Sequence, residues 1–238
     1  MVCKKCRLLE VCMANLDLLE NSIPVAPLKL AALPGSMEMA KKVDAYLVQF
    51  RKELAERRNG VSFSGYSEDS FLIDCECPRF GSGEAKGKIN ESVRGADLYI
   101  LVDVCNYSIT YKVCGYENHM SPDDHYQDLK RIIAAAEGKA KRINVIMPFL
   151  YEGRQHKRNG RESLDCALAL QELTKMGVDN IITFDAHDPR VQNAIPLHGF
   201  ETVQPVYQFI KGFFRAAPGL HIDKDSMMVI SPDEGGMG

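Results

Sequence analysis

No stretch of the 238 residues approaches the roughly 20 consecutive apolar residues a membrane-spanning helix requires, so no membrane partner is expected. A surplus of basic charge is missing too. Lys and Arg number 29 against 32 Asp and Glu, a formal net charge of -3, whereas a duplex-wrapping chain is ordinarily basic. Nucleic acid is therefore not the expected partner. Internal repeats and low-complexity segments are absent. At 45% hydrophobic and 26% charged residues, the composition excludes a disordered, collagenous or coiled-coil rod. The opening MVCKKCRLLEVCMANLDLLE is basic, but Glu10 and Asp17 interrupt its apolar stretch too early for a secretory signal. The expectation is a cytoplasmic globular protein with a sizeable core.

Eight cysteines without a secretory signal read as thiols rather than as a disulfide framework. Cys3, Cys6 and Cys12 form the one cluster, and Cys3-x-x-Cys6 has the spacing of a zinc knuckle or an iron–sulfur pair. A fourth ligand would have to come from Cys75-x-Cys77. An N-terminal tail whose thiols bind nothing has the same spacing.

Residues 1–27 read as a Cys-containing extension, with a short amphipathic helix near Leu8 to Leu19 before Pro24 and Pro27. From residue 28 onward, apolar runs alternate with helical patterns. Leu28 to Leu33 reads as a buried strand stopped by Pro34-Gly35. Ser36 reads as the N-cap of a helix carrying Met39, Ala40, Val43, Leu47, Phe50 and Leu54, with Gly60 as its C-cap. Further strands are expected over residues 70–76, Leu98–Val104, Arg142–Leu150, Ile181–Phe184 and Met227–Ile230. Helices are expected over Asp123–Glu137, Glu162–Met176 and Val206–Phe214. This rhythm predicts an α/β fold, a mostly parallel sheet flanked by helices.

In such sheets ligands bind beyond the carboxyl ends of the strands, so the polar residues after each apolar run carry the chemistry. After MPFL comes a loop with Arg154, Lys157, Arg158 and Arg161, cations suited to a polyphosphate, although a solvated basic loop has the same composition. After IITF comes Asp185-Ala186-His187-Asp188, able to hold a divalent cation, act as a base or simply turn the chain. After MMVI comes Ser231-Pro232-Asp233-Glu234-Gly235-Gly236, a carboxylate followed by open backbone N–H groups, or else a plain tail. Arg79-Phe80-Gly81-Ser82-Gly83-Glu84 offers a ring and a carboxylate for a nucleobase and equally fits a hairpin turn.

Taken in order, these segments resemble the ribose-phosphate pyrophosphokinase (phosphoribosyl pyrophosphate synthetase) family over roughly residues 28–238. The resemblance rests on LKLAALPGSMEMAKKVDAYL, RFGSGEAKGKINESVRGADLYIL, KRINVIMPFLYEGRQHKR, FDAHD and SPDEGG. It implies a type I phosphoribosyltransferase-like fold, with residues 28–238 holding the N-terminal pyrophosphokinase-like domain and the start of a second, incomplete half. It also implies a homo-oligomer, dimer or hexamer. The implied reaction is Mg2+-dependent transfer of the diphosphoryl group of ATP to the 1-hydroxyl of ribose 5-phosphate. Carried over, Phe80, Ser82, Glu84, Arg154 and Gln155 would bind ATP, with Phe80 and Glu84 at the adenine of the same or a neighbouring subunit. His187 and Asp233 would bind metal, and Asp233 also ribose 5-phosphate.

The chain departs from the family at several points. Ser82 stands where an Asp is usual, His156 replaces another Asp, and Asp188 replaces an Ala after His187. Residues 105–125, with Cys105, Cys114 and His119, replace a short Ser/Thr-rich turn. The family's catalytic loop should follow SPDEGG and does not, so no catalytic residue is assigned. The chain reads as the N-terminal portion of the synthetase or as a non-catalytic nucleotide-binding or regulatory paralogue. A metal- or redox-responsive adaptor built on Cys3, Cys6 and Cys12 is a third reading.

Overall fold

The computed structural model describes residues 24–57, 65, 67–217, 219, 223, 225, 228, 230 and 231. Four short apolar segments form the centre of a six-stranded sheet, the last of them buried on one face only. They are β1 (Leu28–Ala32), β5 (Asp97–Leu101), β8 (Arg142–Ile146) and β9 (Asn180–Phe184). The edges are β2 (Leu72–Ile73) and β10 (Gly199–Val203), in the order β10-β9-β8-β5-β1-β2, and every pairing is parallel. Near-continuous aliphatic strands are what a sheet covered on both faces demands. The parallel α/β architecture expected from sequence is present.

The chain steps from β1 outward to β2, then returns to β5 on the other side of β1 and continues through β8, β9 and β10. That reversal makes β1/β5 the topological switch point. One face carries α1 (Met37–Arg57), whose Ala40 packs with Leu30, Ala32, Phe71 and Leu101. The other carries α2 (Pro122–Ala135) and α3 (Asp165–Lys175), burying Leu129, Ile132, Leu170 and Leu173 against Ile100, Val145 and Ile181. Helix α2 is started by a capping box: Asp124 N–H donates to Ser121 Oγ and Ser121 N–H returns to Asp124 Oδ2, with Pro122 in the first turn.

Several boundaries differ from expectation. Ser36 does not cap α1; it ends a 3-10 turn, Pro34–Ser36, and its buried hydroxyl has no hydrogen-bond partner among the described residues. The segment 70–76 splits at Asp74, which Asn90 and Glu91 hold by three hydrogen bonds. Consequently β2 joins the main sheet, and β3 (Cys75–Glu76) pairs antiparallel with β4 (Lys88–Ile89). Helix α3 starts at Asp165 instead of Glu162, because Ser163 is drawn into the preceding loop by Gln155 Nε2 (2.6 Å to its carbonyl). Beyond the expected elements are β4, a 3-10 helix over Pro189–Ala194, β10, and a hairpin of β6 (Thr110–Val113) with β7 (Tyr116–His119). Gly60 and the N-terminal helix fall outside the described residues, as do Met227 and Val229 of the strand expected over Met227–Ile230.

A polar ladder crosses three strands. Arg142 Nε donates to Asp97 Oδ1 (2.9 Å), Asn144 Nδ2 to the same oxygen (2.7 Å), and Asn180 Nδ2 to Asn144 Oδ1 (2.6 Å). Gly199 lies opposite Asn180, where an added Cβ would sit 1.9 Å from Asn180 Oδ1. The chain forms two compact units, Met1–Val203 and Gln204–Gly238, the second containing α4 (Val206–Ala216). Among the described residues no helix is long and apolar enough to cross a membrane.

Candidate nucleotide site

The loops leaving β5, β8 and β9 meet at the carboxyl edge of the sheet. After β8 the chain turns tightly. Glu152 takes φ +55 and Gly153 N–H donates to the Leu150 carbonyl at 3.0 Å, the distance an added Cβ at 153 would also have. Tyr151 secures the turn. Its ring stacks on Tyr126 (centroids 4.3 Å apart) and its hydroxyl donates to Asp123 Oδ1 at 2.6 Å. Burial and the Asp123 carboxylate push the Tyr151 phenol well above its usual range, so it remains a neutral donor.

Arg154, next in line, is exposed and lies over the Phe149 ring at 5.9 Å. Among the described residues no carboxylate pairs with it. A cleft of about 120 Å3 opens beside it, lined by Val104, Cys105, Phe149, Tyr151 and Gly153. Gln155 is occupied by its own loop, with its backbone N–H on the Glu152 carbonyl and its amide on Ser163.

The β8 and β9 loops are fastened together by Phe184 N–H on the Pro148 carbonyl. Asp185 follows β9 at φ +46, a left-handed conformation that Asp tolerates better than most residues. His187 then comes to rest beside His156, ring centroids 5.1 Å apart. His156 Nε2 lies 3.5 Å from Asp188 Oδ2, and Arg190 grips the same carboxylate with its guanidinium and backbone N–H. Those Arg190 hydrogen bonds hold the Asp188 carboxyl well below the usual range. His156 was not singled out from sequence as a site residue. Two departures from the family pattern, the acid lost at 156 and the acid gained at 188, thus face one another in space.

Phe80, Ser82 and Glu84 come together elsewhere, on a loop closed by an Arg79–Ala85 bridge. Phe80 N–H donates to the Glu84 carbonyl (2.7 Å), Ser82 Oγ to Glu84 Oε2 (2.9 Å), and the Phe80 ring is exposed. The β6–β7 hairpin supports this loop through Cys114 N–H on the Gly81 carbonyl and through Val113. Beneath it Arg79 enters a buried ion pair with Asp128 (2.8 Å) and stacks over Tyr111. No hydrogen bond, ion pair or ring contact among the described residues joins this loop to Arg154, Gln155 or His187.

Metal ligands remain sparse. Among the described residues no three His, Cys, Asp or Glu side chains are grouped to hold an ion. The carboxylate next to His187 in the chain, Asp188, is already held by Arg190, whereas Mg2+ prefers oxygen donors. The described residues therefore do not form a dedicated Mg2+ cage. Asp233, Cys3, Cys6 and Cys12 lie outside the described residues. The Cys75 and Cys77 thiols, considered as distant partners for the N-terminal cluster, donate instead to the Ala32 and Asp128 carbonyls, and burial pushes Cys77 up to about 12.

Residues 28–177 match the family described as the N-terminal domain of ribose phosphate pyrophosphokinase. Among curated relatives, the ribose-phosphate pyrophosphokinase of Thermosipho africanus is 31% identical over 189 residues, covering 77% of this chain and 52% of the relative. Those of Oceanobacillus iheyensis (29%, covering 70% and 46%) and Staphylococcus saprophyticus (28%, covering 92% and 57%) are similar. The chain thus spans about half the length of the curated relatives it matches. A crystal structure of phosphoribosylpyrophosphate synthetase from Mycobacterium smegmatis shares the fold with TM-score 0.56 at 22% identity, covering 79% of this chain and 52% of that one. With more than half of its residues matching the family model, the chain belongs to the ribose-phosphate pyrophosphokinase family.

Proposed function

We propose that this chain supplies the nucleotide-binding part of a ribose-phosphate diphosphokinase, with ATP as donor and ribose 5-phosphate as acceptor. The observation that carries the reading is Arg154. Its exposed guanidinium stands at the carboxyl end of a central strand, braced on Phe149, with no carboxylate partner among the described residues. Such a group is available to phosphate oxygens.

In the reaction the 1-hydroxyl oxygen of ribose 5-phosphate attacks the β-phosphorus of ATP. The bond from the β-phosphorus to the oxygen bridging it to the α-phosphorus breaks, and AMP leaves with that oxygen. The hydroxyl proton is released, and the diphosphoryl group ends on the sugar. Such transfers need alignment and neutralisation of spreading charge more than covalent chemistry. Arg154 supplies fixed positive charge, and Gln155 stiffens the loop that presents it. Phe80 offers its exposed ring to the adenine face, with Glu84, braced by Ser82, at the base edge. His187 would contact the Mg2+ of MgATP, an ion that would add neutralising charge at the phosphates. Asp233 serves the ribose 5-phosphate and its metal. A second, related half and assembly into dimers or hexamers complete the proposal.

The test is AMP formation from ATP, ribose 5-phosphate and Mg2+ by the purified chain, with ATP binding measured alongside. Ribose 5-phosphate-dependent AMP release is the expected result. ATP binding without AMP identifies a nucleotide-binding regulatory paralogue, a reading favoured by Ser82 in place of the usual acid. Absence of ATP binding overturns both.

A further inference from the structure

The Phe80–Glu84 loop is pinned to one turn of helix α2 at both of its ends. On its entry side, Arg79 Nη2 meets Asp128 Oδ2 at 2.8 Å, with side-chain exposures of only 11% and 3%. On its exit side, Gly87 passes so close to α2 that a Cβ there would sit 2.3 Å from the Arg131 carbonyl oxygen. Between these points Arg131 Nη1 reaches back to the other Asp128 oxygen at 2.6 Å. One buried carboxylate therefore holds two guanidinium groups. The Arg79 guanidinium lies over Tyr111 (4.6 Å), whose hydroxyl donates to Asp124 Oδ1 on the same helix. Arg79 immediately precedes Phe80, and its bridge to Ala85 closes the loop.

Helix α2 also governs the other cluster, because Tyr151 is fixed by Asp123 and Tyr126. It thus spaces two loops that make no direct contact among the described residues. Buried ion pairs are an inefficient route to stability compared with apolar packing, but they fix geometry. We infer that Asp128 is a positioning residue: through Arg79 it sets where Phe80 and Glu84 stand, and so how tightly and how selectively the base of a nucleotide is held. The inference rests on the reading that this loop meets the base.

Inorganic tripolyphosphate separates this role from simple stabilisation, because it offers the phosphates without a base. Affinities for ATP and tripolyphosphate are compared by calorimetry in the wild type, Asp128→Asn, Arg79→Lys and Arg154→Ala. Asp128→Asn is expected to weaken ATP on the order of tenfold, the scale of one displaced hydrogen-bonding contact. Tripolyphosphate binding is expected to stay unchanged. Arg79→Lys keeps the charge but loses the fork, and should shift the ATP-to-tripolyphosphate ratio the same way by less. It carries the test if Asp128→Asn does not fold. An unchanged ratio in the folded variants overturns the inference, as does equal weakening of both ligands, which marks a merely structural role. If the wild type holds ATP no better than tripolyphosphate, the base-side reading fails and takes this inference with it. If Arg154→Ala affects neither ligand while Asp128→Asn alters the ratio, the phosphate-side reading fails and this one stands.

Discussion

Arg79 and Arg154 each stand at a predicted nucleotide contact, yet their surroundings are opposite. Arg79 is sunk between Asp128 and Tyr111, with its charge spent internally. Arg154 rests on Phe149 at the surface, with its charge unspent among the described residues. The difference follows from what each loop would hold. A nucleobase is flat and neutral, and only a pre-set surface distinguishes one base from another. A polyphosphate is flexible and highly charged, so a cation on a braced turn suffices. On the proposed reading, the anchored arginine shapes a surface and the open one acts directly.

The largest effect that would sharpen this contrast is on the anchored side. Asp128→Ala leaves two guanidinium groups without their buried partner and should cost about 3–5 kcal/mol, read from the shift in the urea unfolding midpoint. A cost comparable to that of a surface substitution would break the comparison.

Next come two glycines of the same hairpin. Gly87→Ala drives a methyl into the Arg131 carbonyl and should destabilise by about 1–3 kcal/mol. Gly81→Ala points into open space and should stay within about 0.5 kcal/mol. Equal thermal shifts for the two would mean that the exit of the loop is not pinned.

The smallest effect concerns Arg190, whose side chain is 80% exposed. It holds the Asp188 carboxyl below its ordinary range, so the pair's contribution is present above the unfolded carboxylate range. That contribution is lost as pH falls through the folded value. Arg190→Ala should move the Asp188 titration, followed by NMR, back up toward ordinary carboxylate values. The stability change at neutral pH should be slight and vanish in high salt. An unmoved titration would show that another group sets it.

Much of the fold was legible because aliphatic strands and helical periodicity are strong local signals. RINVI and NIITF could hardly be anything but interior strands. The failures have local causes. β10, GFETV, is a half-exposed edge strand whose pattern lacks the apolar continuity of its neighbours. The β6–β7 hairpin did carry a signal. Cys114-Gly115 occupies a two-residue turn with φ +50 and +88, and a glycine second in such a turn is a hairpin cue that the polar flanking residues obscured. The loops after β8 and β9 follow their strands as expected, since strand ends are set by topology, while the SPDEGG loop lies outside the described residues. The pairing of His156 with His187 and Asp188 was illegible because it joins different loops. The anchoring of Arg79 on Asp128 was hidden for the same reason: nothing in sequence says which acid lies beneath a hairpin.

The ladder of Asp97, Arg142, Asn144 and Asn180 works as a registration key. Parallel strands have no tight hairpin turns to index them, and aliphatic runs such as those of β5, β8 and β9 would pack almost as well after sliding. A one-residue slip turns every side chain to the opposite face. Here such a slip would strand buried amides and a carboxylate among aliphatic neighbours and drive Asn180 into whatever replaced Gly199. The sheet is therefore indexed from its amino-terminal edge, opposite the edge that carries the loops. The loops that carry Arg154 and His187 leave strands whose register is fixed by polar side chains at the far end.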